Sequence, residues 1–295
     1  MCDPCSPFVK NEPHPSRKVG KERIVIGISL IDQLVELFLF GGLLDAIHEA
    51  YPRLGVLSGV GFSDELTQEF CEQYLCRYDE NPGCEAMADD VSGWDRTYSV
   101  ERLNASLELW LGRCLNLTAF IGRACRNRVA CIQSPVYAIE EGGVVSLYHR
   151  VNPGGMVSGS RLTTIGNGSG RVASLLETGA RTPFANGDDG LAWREKGERV
   201  EAVVERYRAL GLAVRDVKVC SRDYFEFCSH GFDVRGGKSY LLSWPKALFR
   251  LASRNHLTLE LCDEFLYEVR HHPRRDEFVH WVTELFRRRA GPVEI

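Results

Sequence analysis

Asp89-Asp90-Val91-Ser92-Gly93-Trp94-Asp95 is followed, much later in the chain, by Asn186-Gly187-Asp188-Asp189-Gly190, and these two acidic stretches decide the fold class. Glu85 to Val91 ends in small and apolar residues suited to a buried strand, and Val100, Leu103, Leu107, Leu111 and Cys114 recur behind it at helical spacing. The first acids therefore stand where a strand gives way to a turn and a helix. Asn186-Gly187 reads as the tight turn of a strand-turn-strand unit. Taken alone, Asp188-Asp189 is an ordinary acidic hairpin turn. Taken with Asp90 and Asp95, it offers carboxylates from separate elements, which is what two divalent ions held about 3.5–4 Å apart require. Strand ends fix such groups more rigidly than free loops, and hard oxygen donors suit magnesium or manganese.

The surrounding composition fits a soluble globular chain. Of 295 residues, 44% are hydrophobic and 26% charged, enough to bury a large core around a cleft. Lys plus Arg number 36 against 40 Asp plus Glu, so overall charge does not hold nucleic acid, and only a local basic groove could. The 11 cysteines have no small-scaffold spacing and no secretory segment precedes them, which points to a reducing cytosol. Cys2 and Cys5 form the only CxxC and read as free thiols rather than a zinc site. Asn-x-Ser/Thr matches at Asn104, Asn116 and Asn167 carry no weight in such a compartment. Ile24 to Leu44 is the most apolar stretch, yet Asp32, Gln33 and Glu36 interrupt it, so a buried amphipathic helix is expected rather than a membrane span.

Working outward, residues 8 to 23 form a basic loop in which Lys10, Arg17, Lys18, Lys21 and Arg23 face only Glu12 and Glu22. Its prolines and glycine forbid a continuous helix. Residues 135 to 151 read as a hairpin around Glu141-Gly142-Gly143. A helix is expected from Ser158, after Pro153-Gly154-Gly155, with Leu162, Ile165, Val172, Leu175 and Leu176 partly tracking one face; Gly166, Gly168 and Gly170 weigh against it. Gly166-Asn-Gly-Ser-Gly170 lacks the lysine of a phosphate-binding loop. Helices are expected over 198–210 and 257–289, the latter ending in Arg287 to Arg289.

Asp90-Val-Ser-Gly-Trp-Asp95, Ser158-Gly159-Ser160-Arg-Leu-Thr163-Thr-Ile-Gly-Asn167 and Gly187-Asp188-Asp189 occur in the order and spacing of motifs A, B and C of viral RNA-directed RNA polymerases. Phe8-Val-Lys-Asn-Glu-Pro-His14 with Arg23-Ile-Val and Ser29-Leu-Ile-Asp-Gln-Leu-Val35 resembles motif F, and Phe227-Cys-Ser-His230 resembles motif E. Together they resemble the polymerases of sobemoviruses, poleroviruses and their relatives, over about residues 8 to 232. Arg96 departs from the pattern, since these relatives often carry an aromatic there. The chain opens almost at motif F, where the family would place more fingers sequence upstream.

The resemblance implies an α+β fold: a right-hand palm with an antiparallel sheet backed by helices. It implies partial fingers over 1–84, palm over 85–232 with a fingers insertion near 115–150, and a helical thumb over 233–295. Asp90 and Asp188, assisted by Asp189, are implied ligands of two Mg2+ ions, with Mn2+ as a substitute. Asp95, Ser158 and Asn167 are implied in ribose recognition with Thr163 in support, Gly159 in nucleotide binding, Lys10 and Arg23 in meeting the triphosphate, and Lys218 as general acid to pyrophosphate. Cys228 and His230 imitate a catalytic pair but belong to a structural hairpin, and Trp94 is expected in the core. The implied activity is template-directed RNA synthesis in replication of a positive-strand genome, with template and nascent RNA, nucleoside triphosphates and other replicase proteins as partners. The implied location is the host cytoplasm, at membrane-associated sites reached through those partners. Two rivals remain: a catalytically incomplete palm fragment that binds RNA or a replicase protein, and a reverse-transcriptase-like polymerase.

Overall fold

The computed structural model describes residues 2–10, 12, 23–57 and 61–290. In chain order the elements are β1 (Ser6–Val9), β2 (Ile24–Gly27), α1 (Leu30–Glu49), α2 (Asp64–Glu80), β3 (Cys84–Val91), α3 (Trp94–Thr97), α4 (Val100–Leu111) and α5 (Ala119–Gln133). There follow β4 (Val136–Glu141), β5 (Val144–His149), α6 (Leu162–Glu177), β6 (Arg181–Asn186), β7 (Asp189–Glu195), α7 (Val200–Ala209) and β8 (Val214–Cys220). The chain ends with β9 (Tyr224–Phe227), β10 (His230–Asp233), β11 (Lys238–Leu241), α8 (Trp244–Ala252), α9 (Leu259–Glu268) and α10 (Arg275–Ala290). The described residues fall into two compact units, one within Met1–Lys10, Arg23–Gly61 and Cys76–Ser221, the other within Asn11–Glu22, Phe62–Leu75 and Arg222–Ile295.

The first unit is organised by a four-stranded antiparallel sheet in the order β6-β7-β3-β8. β3 lies inside it, and its run of small apolar residues is buried nearly throughout, as a strand covered on both faces requires. Met87 and Val91 of β3, Ala192 of β7, Leu103, Leu107 and Trp110 of α4, Ile165 and Leu175 of α6, and Val203 and Tyr207 of α7 share one core. The expected strand 85–91, the hairpin at 135–151, the turn at Asn186-Gly187 and the helices near 100–114 and 198–210 are all present.

Three expectations need correction. The helix read from Ser158 begins at Leu162, because Ser158 and Gly159 hydrogen-bond Ile26 of β2 instead: Ile26 N donates to Ser158 Oγ at 2.8 Å, and Gly159 N donates to the Ile26 carbonyl at 2.8 Å. The helix read over 257–289 is two, α9 and α10, broken near Pro273, whose missing N–H and ring stop a helix. Within Ile24–Leu44 the first residues form β2, and α1 inverts the usual arrangement. Asp32 and Glu36 are buried while Leu30, Ile31, Leu34 and Phe38 are exposed. No helix among the described residues is long and apolar enough to cross a membrane.

Gly170 of α6 has a packing reason. Tyr98 lies against it, its hydroxyl donating to the Gly166 carbonyl at 2.6 Å and sharing a hydrogen bond with Ser106 at 3.2 Å. A Cβ on Gly170 would collide with the edge of the Tyr98 ring and its hydroxyl. Gly170→Ala should therefore destabilise the protein by about 1–3 kcal/mol through overpacking, despite alanine's better helix propensity. A urea unfolding midpoint unchanged or raised in the variant would refute this.

In the second unit β9, β10 and β11 form an antiparallel meander, and Tyr74, Phe225 and Phe232 stack in series at centroid distances of 4.2 and 4.6 Å. Helices α8, α9 and α10 close their own core around Leu251, Phe265, Phe278 and Val282. Phe227 and His230 flank a two-residue turn with positive φ at Cys228 and Ser229, so this segment is a hairpin, as expected. Arg270, Arg274 and Arg287 each pair with a carboxylate, from Asp64, Glu277 and Glu284, which offsets part of the charge of the arginine clusters.

Candidate functional site

The site forms where the β6–β7 turn meets the end of β3. The β3–β7 register sets Asp90 opposite Asp189 and Asp89 opposite Gly190. Side chains alternate along a strand, so Asp90 and Asp189 share one face and Asp89 and Gly190 the other. Asp188 sits in the turn after Gly187 and is exposed. Three carboxylates from two separate strand ends thus lie at one corner of the sheet. Among the described residues no three His, Cys, Asp or Glu side chains close on a common point as a finished metal cage does. The donor set is all oxygen, which fits a hard divalent cation that keeps water or phosphate in its shell.

Behind the strand end, Asp95 on α3 and Asn167 on α6 are joined: Asn167 Nδ2 donates to Asp95 Oδ1 at 2.7 Å. Asn167 is 5% exposed, and its Oδ1 is buried without a hydrogen-bond partner among the described residues. A buried acceptor left unpaired is costly, and a hydroxyl donor from a bound molecule would satisfy it. Burial pushes the Asp95 carboxyl above the usual range; the Asn167 hydrogen bond and the charge of Arg23 pull it down, and Asp188 pushes it up.

The other expected residues distribute as follows. Arg23 is exposed, and its carbonyl accepts from the Lys10 N–H at 2.8 Å, so both cations flank the open end of the β1–β2 ladder. Asn11 and residues 13–22, with Arg17, Lys18 and Lys21, lie outside the described residues. Ser158 and Gly159 are held to Ile26, while the Thr163 hydroxyl donates to the Val157 carbonyl at 2.7 Å. Thr163 thus braces the loop before α6, through a bond that does not involve the Asp95–Asn167 pair. Lys218 is exposed on the edge strand β8 opposite Ala88. Trp94 is buried edge-on to Tyr98 at 5.5 Å, a core residue.

Sequence reasoning missed the charged groups beneath the site. Glu36 accepts from Ser160 Oγ at 3.0 Å, from Arg161 N at 2.7 Å and from Arg128 Nε at 2.8 Å, and Arg128 also pairs with Asp32 at 3.0 Å. This cluster anchors the loop before α6 from below. Its partners are far apart in sequence, so local spacing gives no sign of it.

Known proteins resemble this chain in sequence and in fold. The family model described as viral RNA-directed RNA-polymerase matches residues 89–257. The replicase polyprotein P2AB of Southern cowpea mosaic virus is 32% identical over 275 residues, covering 88% of this chain and 27% of that protein. Its counterpart from Southern bean mosaic virus is 31% identical over 292 residues, covering 95% of this chain and 28% of that protein. The chain therefore spans less than a third of the length of these relatives. Among solved structures, the Sicinivirus 3Dpol RNA dependent RNA polymerase superposes with a TM-score of 0.74 at 17% identity, covering 95% of this chain and 62% of that one. The right-hand polymerase fold expected from the motifs is thereby shown.

Proposed function

This chain belongs to the viral RNA-directed RNA polymerase family, and from that premise we propose that it carries the catalytic palm of a replicase that copies an RNA template from nucleoside triphosphates. The observation that carries the reading is the β3–β7 register, which sets Asp90 against Asp189 with Asp188 in the adjoining turn. Polymerases of this family use divalent metal ions. In our reading Asp90 and Asp188, with Asp189 assisting, hold two Mg2+ ions, for which Mn2+ substitutes. When bound, the ions supply activation of the primer 3′ hydroxyl and stabilisation of the leaving pyrophosphate.

The remaining work falls to the chain's own side chains. Asp95 and Asn167 orient the ribose and accept from its hydroxyls; Ser158, Gly159 and Thr163 hold the loop that places Asn167. Lys10 and Arg23 offset the charge of the incoming triphosphate. Lys218 hands a proton to pyrophosphate. Residues 1–84, 85–232 and 233–295 act as partial fingers, palm and thumb. Template and nascent RNA and other replicase proteins are its partners, and the latter hold it at membrane-associated sites in the host cytoplasm.

The direct test is incorporation of labelled ribonucleotides on a primed homopolymer template with Mg2+. Template-dependent extension supports the reading, and a folded chain that extends nothing, even with the upstream fingers sequence of its family added, overturns it. Ribose selection gives a second expectation. Asn167→Ala removes the buried acceptor, so preference for ribo- over deoxyribonucleotides should fall by about 5- to 150-fold, the equivalent of about 1–3 kcal/mol for a lost buried hydrogen bond. Equal discrimination in wild type and variant would remove Asn167 from ribose recognition.

A further inference from the structure

Asp89 precedes Asp90 directly, and neighbours on a strand face opposite ways. Asp89, opposite Gly190, therefore turns from the carboxylate corner into the core shared by α6 and α7. There it forms an ion pair with Arg171 of α6. Arg171 Nη1 donates to the Tyr207 hydroxyl at 3.0 Å, and that hydroxyl donates to Asp89 Oδ2 at 2.9 Å, which closes a ring of three side chains. Arg171 and Tyr207 are fully buried and Asp89 is 4% exposed. The remaining edge of the guanidinium is directed at the acidic turn: Arg171 Nε donates to the Asp188 carbonyl at 3.0 Å.

Such a pair is a poor device for stability alone, because apolar residues of similar volume often do as well or better. What apolar residues cannot provide is a fixed donor aimed at one carbonyl. The neighbouring residues make room for it. A Cβ on Gly190 would lie 2.7 Å from Arg171 Nη2 and 2.9 Å from Asp89 Oδ1, so the glycine after the two acids clears space for the ion pair. Arg194, itself held by the Thr178 carbonyl at 2.9 Å, adds a second guanidinium whose Nη2 donates to the Tyr207 hydroxyl at 3.5 Å.

We propose that Asp89, Arg171 and Tyr207 are positioning residues for the acidic turn: the Asp89–Tyr207 pair fixes the Arg171 guanidinium, and Arg171 fixes the backbone of Asp188, setting where its carboxylate meets a divalent cation. The proposal rests on the reading of Asp188 as a metal ligand. Groups that orient a ligand in this way change metal affinity by about 10- to 100-fold when removed.

The test is direct Mn2+ binding, followed by electron paramagnetic resonance titration of the full chain without RNA or nucleotide, alongside thermal unfolding. Three variants are compared: Tyr207→Phe, Arg171→Lys and the charge-balanced double Asp89→Leu with Arg171→Met. The double variant leaves no buried charge uncompensated, and Tyr207→Phe keeps the ring, so a folded variant is in hand even where Arg171→Lys unfolds. We expect Mn2+ affinity to drop about tenfold or more in the double variant, and to a smaller extent in Tyr207→Phe, which unfolds at a lower temperature for its lost hydroxyl but keeps one cooperative transition. Wild-type Mn2+ affinity in both folded variants would overturn the proposal. A wild-type chain that binds no Mn2+ would instead count against the metal-ligand reading on which the proposal rests.

Discussion

Asp188→Asn is expected to slow ribonucleotide incorporation by about 10³-fold or more while leaving the unfolding curve in place. The amide keeps the size and much of the hydrogen-bonding capacity of the carboxylate and removes its charge. Asp188 is exposed in the β6–β7 turn, and its tie to the core is made through its backbone carbonyl, which the substitution spares. A side-chain change at such a position costs within about 0.5 kcal/mol of stability. On the proposed reading the same change removes a negative ligand from the corner where Asp90 and Asp189 also lie, and 10³-fold corresponds to about 4 kcal/mol of transition-state stabilisation. The measurement is single-turnover extension of a primed homopolymer with Mg2+, with circular dichroism on the same samples. A folded variant extending within about threefold of wild type would remove Asp188 from the reaction; Asp90→Asn serves as the independent second ligand and should fall equally far.

Elements read from local pattern emerged because their pattern was local. β3 is a run of small and apolar residues in a covered strand, and α4 and α7 carry one apolar stripe each. The carboxylates could also be found, since Asn-Gly followed by two acids fixes both the turn and the ends of its strands. The start of α6 was not legible, because Ser158 and Gly159 hydrogen-bond a residue more than 130 positions earlier. Gly170, which argues against a helix in isolation, becomes necessary once Tyr98 packs against it. Asp89 could have been flagged by one simple rule, that two successive acids in a buried strand face opposite sides and the inward one needs a cation. Naming Arg171 as that cation required the tertiary structure.

The inverted helix α1 gives the largest expected loss of stability. Asp32, Gln33 and Glu36 read as the polar side of an amphipathic helix, yet Glu36 is 0% exposed and Asp32 5%, both against Arg128. Arg128→Ala leaves two carboxylates buried without their cation, and breaking a buried pair in this way costs about 3–5 kcal/mol, readable as a lower urea midpoint. Glu36 also receives Ser160 Oγ and Arg161 N, so the loop that leads into α6 rests on the same charge. Stability and placement of that loop can be separated. Replacing all three charges by apolar residues, Asp32→Leu, Glu36→Met and Arg128→Met, removes the desolvation cost and should recover part of the stability lost in Arg128→Ala. It gives Ser160 and Arg161 no acceptor in return, so nucleotide incorporation should stay depressed in the refolded triple variant. Recovery of both properties together would mean that the cluster serves packing alone and that the loop is held by its bonds to Ile26. Recovery of stability without activity would identify Glu36 as the support on which Asn167 is presented to the ribose.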